Sequence, residues 1–319
     1  MKTIKQGSRG TEAKLVQALL NLHLTTRGQI NTKVLNCEEY KNQLKIRKSS
    51  FLPLTVDGSF GPASVSALKV FQSLNHMVVD GSAGPATQRA MWIMPAANSK
   101  IVTIQFPLKN VLAQHVINHS CDSSSTLSKC MKEGNGTVGS NAGMFNNTSK
   151  GVYPYGLLND TLSHGERIFI KEGSGAYVGG NYMTEGLALC NSRKIGSIYF
   201  STTNKSLHKT VDFVGCNELL IENYQKVMRT TPNLGAGFMK QKTAWIAWGV
   251  DDEYLYYMTN LSNTPLNDLG IEGVAQHIKY LCSYDGGGSR CLQIAGANVF
   301  STSRVIPQCF VFDIAGLFA

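Results

Sequence analysis

Two segments of the chain repeat each other. Residues 57–64 read DGSFGPAS and residues 80–87 read DGSAGPAT, an offset of 23 residues. An offset that short holds one turn and one helix, so the repeat specifies a helical hairpin rather than a sheet. In each copy Asp-Gly makes the turn. The Gly-Pro pair that follows puts Pro62 or Pro85 at the first helical position, where a missing N–H costs nothing. Val65, Leu68, Phe71 and Leu74 then recur at helical spacing, and Ala86, Ala90 and Met91 begin a weaker apolar face. An earlier helix follows GSRGTE, with Leu15, Leu19 and Leu22 on one face and Val16 and Leu20 beside it. Residues 5–92 are therefore expected to form a small all-α bundle of three helices. A long Lys- and Asn-rich insert near 25–53, containing KIRKSS, interrupts it.

Residues 93–100, IMPAANSK, read as a linker. Beyond it the periodicity changes. IVTIQF, RIFI, SIYF, TAWIAWGV, EYLYYMTN and CFVFDI alternate or are β-branched and aromatic, as strands are. Helical patterns are expected only at 217–228 and 270–282. The chain of 319 residues thus divides into a helical domain at 1–94 and an α+β domain at 101–319.

Charge follows this division. Residues 1–98 carry 12 Lys/Arg against 5 Asp/Glu, a net +7, whereas the remainder carries 18 against 16. A basic N-terminal third suits a polyanionic partner. No apolar run is long enough to span a membrane, and the start, MKTIKQGSRG, has no apolar core of a signal peptide. The 8 cysteines form no CxxC pair, which argues against a zinc ribbon, and they are too sparse for a disulfide scaffold. Free, buried thiols are expected, with a local Cys282–Cys291 bridge open. His115, His119, His164, His208 and His277 have no metal-ligand spacing and read as structural, and Asp251-Asp252 reads as a hairpin turn.

The segment KQGSRGTEAKLVQALLNLH followed by LTVDGSFGPASVSALKVFQSLNHMVVDGSAGPATQRAM resembles a peptidoglycan-binding domain of the three-helix type. The resemblance implies binding to bacterial peptidoglycan or an anionic wall polymer. Asp57 and Asp80, in the two turns, are the candidate wall contacts.

In the second domain, SNAGMF (140–145) with YPYGLL (153–158), KQKTAWIAWG (240–249), YDGGGSR (284–290) and STSRVIPQCF (301–310) occur in the order seen in the phosphodiester glycosidase family, which they resemble. DGGGS after a helix is the most specific element. Ala142, Met144, Lys242 and Arg290 depart from the family pattern. The resemblance implies hydrolysis of a sugar-1-phosphodiester in an envelope glycopolymer such as a teichoic acid, its linkage unit or a capsule.

Such a reaction must hold a phosphate and stabilise a sugar cation while a carboxyl group moves a proton. Three glycines in a row expose main-chain amides, which can form an anion nest. Gly286, Gly287, Gly288, Ser289 and Gly143 are thus candidates to bind phosphate or substrate. Arg290 and Arg304 are candidate guanidinium partners for it. Asp285, Asn141 and Lys242 are the candidate catalytic residues: a carboxylate, a hydrogen-bonding amide and a point charge. Glu166 beside His164 is a weaker acid–base candidate. No cofactor is called for, and a divalent cation beside Asp285 stays open. No nucleic-acid partner is expected. A wall-binding module without a leader implies a protein made in the cytoplasm, then released by lysis or carried on a phage particle, that acts at the wall or outside the cell. The alternatives are a muramidase or amidase, or a non-catalytic protein that binds wall or sugar phosphate. The zinc-amidase His pattern is missing, while the four departures keep the non-catalytic alternative in play.

Overall fold

The computed structural model describes residues 1–118, 126–143, 161–163, 166–169, 186–190, 198–201, 211–230 and 240–318. The N-terminal part is helical. Helices α1 (Thr11–Leu24), α4 (Pro62–Leu74) and α5 (Pro85–Ala90) form where the apolar spacing places them. The prolines of α4 and α5 occupy the first turn. The basic insert is also folded. It holds a two-residue hairpin, β1 (Thr25–Thr26) with β2 (Gln29–Ile30), and helices α2 (Thr32–Asn36) and α3 (Glu38–Arg47). Asn31 caps α2 by accepting the Lys33 amide at 2.9 Å. Val34, Tyr40, Phe51, Leu52 and Leu54 add to the same core as Leu15 and Phe71.

Each repeated turn is plugged by a buried glutamine from the preceding helix. Gln17 accepts the Gly58 amide at 2.8 Å and donates to Asp57 Oδ1 at 3.0 Å. Gln72 accepts the Gly81 amide at 2.9 Å and donates to Asp80 Oδ1 at 2.8 Å. Gly58 and Gly81 take left-handed φ of 79° and 71°, a conformation that costs glycine nothing.

The second part is mostly β-sheet. One sheet runs β12-β11-β15-β13-β14-β3, with β3 Ile101–Pro107, β11 Glu218–Glu222, β12 Gln225–Thr230, β13 Ile246–Val250, β14 Tyr254–Asn260 and β15 Tyr280–Ser283. A second runs β17-β16-β5-β18-β4, with β4 Val111–Asn118, β5 Val138–Asn141, β16 Leu292–Ile294, β17 Ala297–Phe300 and β18 Gln308–Ile314. A third joins β6 (Thr161–Ser163), β7 (Glu166–Phe169), β8 (Gly186–Cys190), β9 (Ile198–Ser201) and β10 (Val211–Gly215) in the order β7-β6-β10-β8-β9. All described pairings between these strands are antiparallel. Trp248, Tyr257, Phe310 and Phe312 pack between the first two sheets, with Trp248 edge-on to Tyr257 and Phe310. Helix α6 (Leu127–Glu133) covers the second sheet, and α7 (Leu266–Ala275) covers the first.

Two expected helices are corrected. Residues 217–228 form the β11–β12 hairpin, whose turn residues Asn223 and Tyr224 both have left-handed φ, 49° and 67°. Such a pair matches the twist of the flanking strands. Its apolar run, Leu219 to Ile221, is buried on both faces of the sheet, which hides the alternation of a strand. Over 270–282 the helix stops at Ala275, and Tyr280–Ser283 is a central strand.

The two parts share one apolar core, which runs from Leu15, Phe71 and Trp92 to Phe106, Val111 and Ile314. The segment read as a linker is tied down. Ile93 bridges Ile104, and the Ala97 and Asn98 amides donate to Glu272 at 3.0 and 2.9 Å. The far end of the chain returns to the helices: Phe318 meets the Phe71 ring edge-on, and the Leu317 amide donates to His23 Nδ1 at 3.3 Å. Burial pushes His23 down to about 3, so it sits in this core as a neutral acceptor.

Candidate active site

The glycine run leaves the sheet at the end of β15. Tyr284 faces the interior, where its hydroxyl accepts the Leu187 amide at 3.1 Å. Asp285 follows, and the chain then closes into a 3-10 turn over Gly287–Ser289. Each glycine has its own steric reason. A Cβ on Gly286 would collide with the Ala244 carbonyl. Gly287 takes φ +58°. A Cβ on Gly288 would lie 2.7 Å from Arg304 Nε, so bare backbone there makes room for a guanidinium.

That geometry corrects the expected nest of three free amides. The Gly287 N–H is spent on the Ala244 carbonyl at 2.6 Å, and the Gly286 N–H turns to the Asp285 carboxylate. The Gly143 amide is likewise taken, by Gln308 Oε1 at 2.8 Å. In both places main-chain amides that leave a strand end find a partner within the fold.

Asn141 is corrected as well. Its carboxamide is buried and used at both ends. Nδ2 donates to the Asp285 carbonyl at 2.5 Å, and Oδ1 accepts the Cys291 amide at 2.9 Å. It is a positioning residue that clamps both ends of the loop. Arg290 is turned inward. Its guanidinium lies over the Phe300 ring, 4.4 Å from the centroid, and donates to the Asn260 carbonyl. These contacts fix its position at the sheet edge.

Three predicted residues do come together. Ser289 is buried; its hydroxyl hydrogen-bonds the Asp285 carboxylate and accepts from Arg304 Nη1 at 3.3 Å. Arg304 is otherwise exposed, and its loop is fixed by Thr302, whose hydroxyl donates to the Gly288 carbonyl at 2.5 Å and accepts the Arg304 amide at 3.0 Å. Burial raises the Asp285 carboxyl to about 7, a rise opposed by the Ser289 hydrogen bond and the Arg304 charge. Such a carboxyl exchanges protons near neutrality. Lys242 is exposed, and the hydroxyl of the next residue, Thr243, lies 3.7 Å from where a Cβ on Gly287 would be. Among the described residues no three His, Cys, Asp or Glu side chains gather as a metal site. Met144, YPYGLL, the His164 pair partner of Glu166, His119 and His208 lie outside the described residues.

The chain resembles known proteins in sequence over its helical part and in fold over a larger share of its length. Residues 36–91 match the family model of the peptidoglycan binding domain. No curated protein matches the sequence. The catalytic domain of zebrafish N-acetylglucosamine-1-phosphodiester alpha-N-acetylglucosaminidase, solved as a form auto-inhibited by its pro-peptide, superposes with a TM-score of 0.50 at 14% identity. That match covers 69% of this chain and 81% of the zebrafish one. A hypothetical protein from Synechocystis superposes with a TM-score of 0.45 at 10% identity, over 70% of this chain and 61% of that one. The chain therefore joins a small helical part that matches the peptidoglycan binding domain model to a mostly β part that is similar in fold to the zebrafish catalytic domain.

The turns with Asp57 and Asp80 present these carboxylates to solvent, but one oxygen of each is pinned. Asp57 Oδ1 and Asp80 Oδ1 each accept a serine amide at 2.8 Å in addition to the glutamine. Those bonds hold both carboxyls below the usual range. Sequence reasoning missed Gln17, Gln72, Gln308 and Thr302. A signal existed for the first two, since KLVQ at 14–17 and KVFQ at 69–72 are themselves a repeat.

Proposed function

We propose that the protein is a wall-targeted hydrolase that cleaves a sugar-1-phosphodiester in a bacterial envelope glycopolymer. The observation that carries this reading is the Asp285–Ser289–Arg304 cluster, an acid near its neutral point beside an exposed guanidinium at a strand end. Arg304 uses one donor on Ser289 and keeps others for a phosphate oxygen. Asp285, held by Asn141 through its own carbonyl, is the proton-transfer group at the anomeric centre. Lys242 adds a cation at the rim. The helical domain raises the local concentration of wall substrate without adding contacts to the site.

The full chain is tested with an activated sugar-1-phosphodiester and with purified walls, scoring reducing sugar, phosphomonoester and free amine. Sugar release from the diester is expected, lost in Asp285→Asn and with a raised KM in Arg304→Ala. Amine release from wall peptide would instead make it an amidase. Wall binding with no turnover of any diester would leave a binding protein. Pelleting with walls should weaken as salt rises, because exposed charges are screened over about 10 Å at 0.1 M.

A further inference from the structure

Beneath the site lie three thiols in one small apolar cluster: Cys130 on α6, Cys291 after the glycine loop and Cys309 on β18, packed with Leu127, Met131, Ile306 and Val311. All are buried. Their roles differ. Cys291 is engaged with Asn141, whose Oδ1 accepts both its amide and, at 3.5 Å, its thiol. Cys309 instead directs its thiol at Cys130, with the two sulfurs 2.8 Å apart. Both are free thiols.

We infer that Cys130 and Cys309 are a redox pair that closes to a cystine, stapling α6 to the sheet beneath Asn141. The placement supports it. Cys309 lies directly opposite Asn141 in the β18–β5 register, and Gly139 on β5 leaves the space that Met131 of α6 fills. The helix already sits flush on the strand, so bringing the sulfurs to bonding distance of about 2.05 Å needs only a small side-chain movement. Burial raises the Cys309 thiol well above its ordinary value, so the reduced pair is quiet until α6 lifts locally and lets an oxidant in.

The chemistry balances with a low-molecular-weight disulfide such as oxidised glutathione. One cysteine sulfur attacks it and displaces one glutathione thiol. The second cysteine sulfur then attacks the mixed disulfide and displaces the other. Two electrons pass from the protein sulfurs to glutathione, and the two thiol protons end on the two glutathione molecules released.

The wild-type full chain is incubated with oxidised glutathione, denatured in excess alkylating reagent and mapped by mass. Two thiols are expected to be lost relative to the untreated protein, as a Cys130–Cys309 cross-linked peptide. Because the bridge closes a loop of about 180 residues, the melting temperature should rise by roughly 5–10 °C and fall back on reduction. In Cys291→Ser the same cross-link should form, and in Cys309→Ala none. An unchanged number of alkylatable thiols after oxidation, both in the folded protein and after refolding with the oxidant, would overturn the inference. So would a cross-link through Cys291, or glutathione retained on either sulfur.

Discussion

Replacing Asp285 with asparagine should remove activity and yet stabilise the protein above pH 7. The sign follows from the site. Asp285 has an ordinary value of 3.8 and is raised to about 7 in the fold, mainly by burial. An acid with a raised folded value holds its proton more tightly when folded, so stability falls as pH rises from 4 through 7. The gap between 3.8 and about 7 corresponds to ~4 kcal/mol at 1.36 kcal/mol per pH step. Asp285 is partly open to water, and discounting for that leaves roughly 2 kcal/mol. Asparagine is nearly isosteric and carries no charge to desolvate. Urea unfolding of both proteins from pH 4 to 8.5 reads the difference. The variant should match wild type near pH 4 and exceed it by about 2 kcal/mol at pH 8. Glu218, also raised to about 7 by burial, titrates in both proteins and cancels. A difference that stays flat with pH would refute the argument. A wild type that gains on the variant as pH rises would mean that Arg304 dominates and the carboxylate is ionised throughout.

The remaining predictions follow from other named contacts. Gln72→Ala and Gln17→Ala each strand a buried turn amide and should cost about 2–3 kcal/mol, measured by thermal unfolding, with similar losses because the two plugs make matching bonds; a loss under 0.5 kcal/mol in either would refute the plug. Gly288→Ala should displace the Arg304 guanidinium and raise KM for a phosphodiester more than it lowers the melting temperature, and unchanged kinetics would remove Arg304 from the site. A fragment ending at residue 98 should bind a hydrophobic dye and unfold without cooperativity, since it loses Phe106, Val111, Ile314 and Phe318 from around Phe71 and Trp92; a sharp unfolding transition in the fragment would show that the helices need no cover.

Much of this protein was legible in its residues. The two DGSxGPA turns, the prolines after them and the spacing of Leu15, Leu19, Val65, Leu68 and Phe71 sufficed for the helical bundle, because turn and helix signals are local. The alternating segments at 101–107, 246–250, 254–260 and 308–314 became strands for the same reason. What stayed hidden was decided at long range. Residues 217–228 look helical because their first half, the strand Glu218–Glu222, is covered on both faces and has no polar side to betray it. The run YDGGGSR showed where the chain must lack side chains but not why, since the reasons are the Ala244 carbonyl, a left-handed turn and the Arg304 guanidinium. Asn141 has the right chemistry for a ligand, yet the fold uses both ends of its carboxamide on the main chain and draws Arg290 over the Phe300 ring, while Ser289 and Arg304, 15 residues apart, meet around Asp285. Local pattern determines which elements form; whether a polar group is free to act depends on what the packed neighbours have already claimed, and only tertiary structure brings those neighbours near.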